Sequence, residues 1–180
     1  MMNFTTFPIL ATQRLILRQL SDDDKVAIFL LRSDEKVNKY VDRPLQHHID
    51  EATAFINKIN KSIEQSESVY WAISLQDNAE LVGTICLWNF SADHQTAELG
   101  YELSPIFQGQ GIMNEAIKAV LEYAFEIIEL ESIIAYLHKD NKSSIKLLEK
   151  NGFTWEIDKI DEENSSNLIY SLEKKTFDIR

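Results

Sequence analysis

Apolar and polar residues alternate through RLILRQL (14–20), the period of a strand with one buried face. From Ser21 the spacing becomes helical. SDDDKVAIFLLRS (21–33) opens with Ser21 and Asp24 in capping-box position, and places Val26, Phe29 and Leu30 on the expected core side. A shorter helix is predicted over 34–41. Another starts at Asp50, where Ala52, Phe55, Ile56, Ile59 and Ile63 recur at helical spacing. SVYWAISL (68–75) and ELVGTICLWNF (80–90) read as strands divided by the turn-like QDNA, and TAELGYELS (96–104) completes an antiparallel meander. A helix predicted from Ile112 to about Glu129 carries the clearest period. There Glu115, Lys118, Glu122, Glu126 and Glu129 form one polar stripe, so the remaining surface should lie against a sheet. SIIAYLHKD (132–140) is a further strand. Asn141 begins a second amphipathic helix that stops at Gly152. FTWEIDKI (153–160) and NLIYSLEKK (167–175) close the chain as strands around the polar DEENSS. This order predicts an α/β fold, a mixed sheet of about seven strands with helices on both faces.

No repeat, low-complexity tract or linker interrupts the 180 residues, so one domain is expected. An apolar content of 44% with three tryptophans suits a globular fold. No apolar run approaches the ~20 residues that span a bilayer. The opening MMNFTTFPILATQR has neither the basic start nor the apolar core of a signal peptide. Cys86 is the only cysteine, so no internal disulfide forms and a reducing, cytoplasmic location is expected. With 29 acidic against 18 basic residues the net charge is −11. That balance argues against a nucleic-acid partner, which needs a basic face, and suits a cationic acceptor or simply solubility.

Of five glycines, two stand two residues apart at Gly109 and Gly111, between a strand and the helix from Ile112. The first turn of a helix leaves N–H groups without partners and carries partial positive charge. Glycines in front of it let backbone approach a bulky anion such as a diphosphate. A Walker loop would need Lys and Ser or Thr after Gly111, where Ile112 and Met113 stand. A dinucleotide fingerprint would need glycine where Asn114 stands.

YELSPIFQGQGIMNEAI resembles the acyl-CoA-binding motif of the GNAT N-acetyltransferase superfamily, Gln/Arg-x-x-Gly-x-Gly/Ala, with Gln108 and Gly111 in place and Met113 departing at the last position. GQGIMNEA is similar to the variant of the ribosomal-protein N-terminal acetyltransferase (RimJ/RimL-like) branch. HKDNKSSIKLLEKNGF (138–153) resembles that branch's Asn-x-x-Ser…Glu-Lys-x-Gly-Phe signature, through Asn141, Ser144, Glu149, Lys150, Gly152 and Phe153. LVGTICLWN and TQRLILRQLSDDD resemble its central strand and opening, so the likeness covers roughly residues 12 to 173.

The resemblance implies a GNAT-like fold with a mostly antiparallel sheet, and direct transfer of acetyl from acetyl-CoA to an amine. It implies that residues Gln108, Gly109, Gln110, Gly111, Ile112, Met113 and Asn114 bind the cofactor's diphosphate. It also implies that strands 96–104 and 132–139 part to admit pantetheine, with the backbone N–H near Leu103 donating to the thioester oxygen. Glu98 matches the family's usual base and Glu102 is the alternative. Alternation puts both on one strand face with Gly100, while leaving each equally readable as a solvated residue. Many relatives carry an acidic tyrosine where Leu148 stands. The branch's alternative is Ser144, one turn from Asn141, and both can face the same sulfur. Asn141 can also cap its helix.

Cys86 reads as a small core residue and not an acyl-accepting thiol. His47 and His48 are adjacent, not at ligand spacing, and His94 and His138 read as turn and strand-end residues, so no metal is expected. Trp71, Trp88 and Trp155 read as core, with Trp88 a possible wall of an acceptor pocket. Segments 34–50 and 158–167 would wall the acceptor side. The branch points to a protein N-terminal amine as acceptor. A small amine and a non-catalytic CoA-binding module are the alternatives, and oligomeric state is not legible.

Overall fold

The computed structural model describes residues 6–177, so the first five residues of the stretch searched for a signal peptide lie outside the described residues. In chain order it runs β1 (Leu10–Ala11), β2 (Leu15–Gln19), α1 (Lys25–Ser33), α2 (Glu35–Asn38), α3 (Ile49–Glu64), β3 (Val69–Leu75), β4 (Asn78–Trp88) and β5 (Thr96–Leu103). Then follow α4 (Ile112–Glu122), β6 (Ser132–His138), α5 (Lys142–Lys150), β7 (Thr154–Trp155), β8 (Asn167–Glu173) and α6 (Lys174–Phe177). One eight-stranded sheet has the order β1-β2-β3-β4-β5-β6-β8-β7. All its neighbours pair antiparallel except β5 and β6. The strand beyond the expected seven is the two-residue β1.

The sheet is covered on both faces, which is why β3 is apolar at every position but Ser74. Val69, Trp71 and Ile73 face a core shared with Ile117, Val120 and Phe125, while Tyr70 and Ala72 face a second core with Ile28, Ile56 and Ile63. Each fully buried aliphatic side chain contributes on the order of 1.5–3 kcal/mol. That burial, more than intrinsic propensity, holds α3 and α4 in place.

Three expectations are corrected. In α1 the buried residues are Ile28 and Leu31, whereas Val26 and Leu30 are largely exposed and Phe29 is only partly buried. The helix face is set by Asp24, which is buried and takes two bonds from Arg18 of β2, at 2.7 and 2.8 Å. Ile28 and Leu31 follow Asp24 at i+4 and i+7, and therefore share its inward side. The long helix ends at Glu122 and passes through a π-helical turn, Tyr123–Ile127, closed by the Ile128 N–H donating to the Tyr123 carbonyl at 3.0 Å. That wider turn keeps Ala124 and Phe125 buried and turns Ile127 outward. Finally, the strand expected over 153–160 reduces to Thr154–Trp155, because pairing with β8 ends there apart from the Glu156 N–H donating to the Ile169 carbonyl at 2.9 Å.

The feature that positions the site is the parting of β5 from β6. They pair in parallel only at Thr96–Ser132, Ala97–Ile133 and Glu98–Ile134, although β5 continues to Leu103 and β6 to His138. Beyond that point β6 remains fully paired to β8 and β5 to β4.

Candidate active site

Beyond the parting, the backbone of β5 offers one free edge. Ser104 donates to the Val82 carbonyl, and the β4–β5 register pairs Glu102 with Thr84 and Gly100 with Cys86. In an antiparallel ladder the alternate residues turn their N–H and C=O the other way. Tyr101 and Leu103 therefore aim theirs into the gap left by β6. The Leu103 carbonyl accepts the Gln108 side-chain amide at 2.9 Å, which ties the strand end to the glycine loop.

The loop itself is a row of donors. Gly109 and Gly111 hold φ of +74° and +78°, the left-handed region that favours glycine, and Gly111 caps α4. Glu115 is the first residue of the helix to return a bond, to the Gly111 carbonyl at 3.1 Å. Among the described residues, the N–H groups of Gly109 through Asn114 have no protein acceptor. Ile112 and Met113 are buried beneath them. The methionine that departs from the motif thus points into the core and leaves the amide row clear. A Cβ at Gly109 would meet nothing within 4 Å, so a bulky anion can approach there. An amide-lined turn of this kind fits a diphosphate.

Arg14, which carried no signal in the sequence, pins this loop. Its guanidinium donates to Glu115 at 2.6 Å and to the Gln110 carbonyl at 3.0 Å, while its backbone N–H donates to Glu115 at 2.8 Å. Thr12 adds a 2.6 Å bond to the same carboxylate. The chain opening is thereby fastened to the first turn of α4.

A cleft of about 790 Å³ runs through the parted strands. At one end it reaches Tyr101, Asn141, Ser144 and Leu148; at the other, α1, α3 and the loop after α2. Asn141 caps α5, its side-chain oxygen accepting the Ser144 N–H at 3.2 Å and the Ser143 hydroxyl at 3.0 Å. The Ser144 side chain lies by the Tyr101 phenol, which burial pushes up to about 12 against a smaller opposing pull from that serine. By strand alternation Tyr101 falls on the face of β5 opposite Glu98. The parting of the strands is what gives it access to the cleft.

The two glutamates of β5 differ in surroundings. Burial raises the Glu98 carboxyl above its ordinary range; a long bond from Asn89, 3.5 Å, opposes this, and Asp161 and Glu163 reinforce it. Glu102 is instead held by Arg43 at 2.5 Å, with the Thr84 hydroxyl at 3.4 Å. Gly100 lies between them, and a Cβ there would come within 3.0 Å of the Cys86 sulfur. Burial raises the Cys86 thiol to about 12, which leaves it protonated at neutral pH.

Residues from both expected walls line the acceptor end, among them Tyr40, Arg43, Asn164 and Asn167. Tyr40 stacks on His138 with centroids 5.4 Å apart, so this histidine is a lining residue and more than a strand end. Trp88 is 46% exposed and lines the cleft, Trp155 is 49% exposed on the edge strand, and Trp71 alone of the three is core. Among the described residues, no group of three or more His, Cys, Asp or Glu side chains is placed to hold a metal ion. No helix there is long and apolar enough to cross a membrane.

The description "Acetyltransferase (GNAT) domain" belongs to a family model that matches residues 14–154. YoaA of Bacillus subtilis, described as an uncharacterised N-acetyltransferase, is 37% identical over 147 residues, 82% of this chain and 83% of its own. Spermidine N(1)-acetyltransferase of Escherichia coli is 25% identical over 141 residues, 78% of this chain and 73% of its own. A RimL ribosomal-protein alpha-N-acetyltransferase solved with coenzyme A has a TM-score of 0.77 at 20% identity, covering 92% of this chain and 98% of that one. At that identity the likeness is one of fold.

Proposed function

The chain belongs to the GNAT acetyltransferase family, and from that premise we propose that it acetylates the N-terminal amine of a protein, as one domain working in the cytoplasm. Family membership makes it an acetyl-CoA-dependent N-acetyltransferase. The observation that carries the proposal is the fork between β5 and β6, with bare amides on one side and the half-buried Glu98 carboxylate on the other.

Acetyl-CoA supplies an acetyl group activated on sulfur. In the proposed arrangement the N–H groups from Gly109 to Asn114 hold its diphosphate. Gln108 locks the loop to β5, and the free edge of Tyr101 and Leu103 pairs with pantetheine as an added strand. The Leu103 N–H donates to the thioester oxygen, where negative charge gathers. An alkylammonium acceptor has no lone pair at neutral pH, so a base must take its proton first. Glu98 is that base, directly or through water, since its raised pKa brings it closer to the working pH. Glu102 is unsuited because Arg43 already neutralises it. Ser144 stands by the leaving sulfur and passes it a proton while its hydroxyl takes one from solvent, with Asn141 ordering the turn that presents it.

The branch-type loop GQGIMNEA supports a protein N-terminus as acceptor. A polyamine, the substrate named for the Escherichia coli relative, is disfavoured by Arg32 and Arg43 at the acceptor end. The test is CoA release, followed with a thiol reagent, across peptides with free N-termini and small amines. Turnover that vanishes when the peptide N-terminus is blocked supports the proposal. Turnover with small amines alone moves the acceptor class. Tight acetyl-CoA binding with no turnover over the whole panel identifies a non-catalytic CoA-binding module.

A further inference from the structure

The acceptor end of the cleft holds a charge arrangement that amine transfer does not use. Arg32, from the last turn of α1, lays its guanidinium 3.9 Å from the centroid of the Phe55 ring. Among the described residues its guanidinium donates no hydrogen bond; its Nε is buried without a partner, as is the Oε1 of Gln46, whose N–H donates to the Arg32 carbonyl at 3.1 Å. Burial acts most strongly against its charge and Arg43 adds to that, while Glu102 favours the charge. That one carboxylate is already taken by Arg43 at 2.5 Å, and the Arg43 Nε is spent on the Asn38 side chain at 2.7 Å. Two guanidinium groups thus face one carboxylate inside the cleft, and only Arg43 bonds it. The other charges at this end, Asp42, Glu67 and Lys58, are exposed, and none bonds Arg32. A chain of net charge −11 has many acids with which to neutralise an inward arginine and leaves this one uncovered.

A guanidinium presents its donors in a rigid planar fork that matches carboxylate and phosphate. Stacking on Phe55 fixes the plane of that fork and leaves its edge for a ligand. Leaving a half-buried cation without a counter-charge costs stability, and a bound anion would relieve it.

We infer that Arg32, backed by Arg43, forms an anion subsite, and that the acceptor carries a carboxylate or phosphate set apart from the amine it presents. This rests on the acetyl-transfer reading above and names a substrate class for it. The spacing is consistent with an extended acceptor. Glu98 and Glu102 are four residues apart on β5, about 13 Å between Cα atoms at ~3.3 Å per residue. A free α-amino acid, with amine and carboxylate on one carbon, is too short to use both ends.

The test has two arms, the first with CoA saturating so that the amide loop is filled, the second with acetyl-CoA saturating as the acetyl donor. In the first, succinate and inorganic phosphate are titrated separately into the wild-type protein and into Arg32→Met, which keeps the apolar stem over Phe55. Saturable binding of at least one anion by the wild type, weakened tenfold or more in Arg32→Met, is expected. Equal binding by the two proteins, or no saturable binding of either anion, overturns the subsite. In the second, kcat/KM is compared within matched acceptor pairs: 6-aminohexanoate against its amide, 3-aminopropyl phosphate against 3-aminopropanol, and the peptide amide Ser-Gly-Glu against Ser-Gly-Gln. A preference of tenfold or more for an anionic member, falling to near unity in Arg32→Met, is expected, and the pair that shows it separates carboxylate from phosphate. A wild-type preference for the neutral members overturns the inference. Anion binding that depends on Arg32 without turnover of any acceptor would leave the subsite standing and remove the acetyl-transfer reading. Turnover without any anion preference would do the reverse.

Discussion

Replacing Gly111 by valine tests whether the loop at the start of α4 is a binding device or only a turn. Gly111 sits at φ +78°, where an L-residue costs about 1–2 kcal/mol and a β-branched one is strongly disfavoured. Its new Cβ would also stand 3.4 Å from the Arg14 Nη2, and Arg14 holds both Glu115 and the Gln110 carbonyl. The loop can relieve the strain only by rotating residue 111 out of the left-handed region, which turns the N–H groups of residues 111 and 112 away from the common focus. Two lost bonds to a charged phosphate, at about 1.5–3 kcal/mol each, predict an affinity loss of roughly 10²–10⁴-fold for CoA. Residual strain of about 1–2 kcal/mol corresponds to a fall in Tm of roughly 2–8 °C for a chain of this size. Calorimetric titration with CoA, performed well below the variant's melting temperature, reads the first number, and thermal denaturation reads the second. A variant that melts earlier but binds CoA within threefold of wild type would refute the binding role and leave only a turn.

Other expectations follow from the same geometry. Glu98→Gln should lower kcat/KM by roughly 10²–10³-fold. In the wild type the rate should be lost as pH falls through the raised Glu98 pKa, at higher pH than an ordinary glutamate would give. The same raised pKa means that ionised Glu98 costs stability. The stabilising contribution of its protonated form is complete below the unfolded glutamate pKa and is lost as pH rises through the folded one. Glu98→Gln should therefore melt no lower than wild type at neutral pH, and a large fall in Tm would mean a structural role instead. For Asp24, burial pushes the carboxyl up but bonds from Arg18 and Ser21 pull it below its ordinary value. Its stabilisation should hold above about pH 4 and fade as pH drops through the lowered folded pKa, so Asp24→Ala should lower Tm by roughly 5–10 °C at pH 7 with a gap that narrows in acid. Ser144→Ala should reduce kcat with little change in acetyl-CoA affinity, and unchanged turnover would remove Ser144 from the proton-donating role. Gly100→Val should block the cleft beside Cys86, raising KM for the acceptor while CoA binding persists, as titration and steady-state kinetics together would show.

The parts of the fold legible in the sequence were those written in local signals. The glycines before α4, the alternation of β5 and the Asn141 cap are each decided within a few residues, and each lies where its pattern places it. The face of α1 was not, because Val26, Phe29 and Leu30 are as apolar as Ile28 and Leu31. The choice between them comes from Asp24 bonding Arg18 on β2. The last strand before DEENSS was overestimated because alternation in FTWEIDKI says nothing about how much partner edge is available. Arg14, Arg32 and Arg43 were invisible as site residues for the same reason. Their partners lie as far as 101 residues away for Arg14 and 59 for Arg43, and no spacing rule reaches that distance. Tyr101 was visible as a strand residue, but its access to the cleft depends on β6 leaving β5 after Ile134.

A crystal structure of the protein bound to coenzyme A would bear most directly on whether the start of α4 seats the diphosphate and the fork aims the sulfur. Diphosphate oxygens should lie about 3 Å from the N–H groups between Gly109 and Asn114, with pantetheine alongside Tyr101 and Leu103 and its sulfur near Ser144. Coenzyme A bound with its diphosphate elsewhere, or with pantetheine outside the gap between β5 and β6, would contradict it.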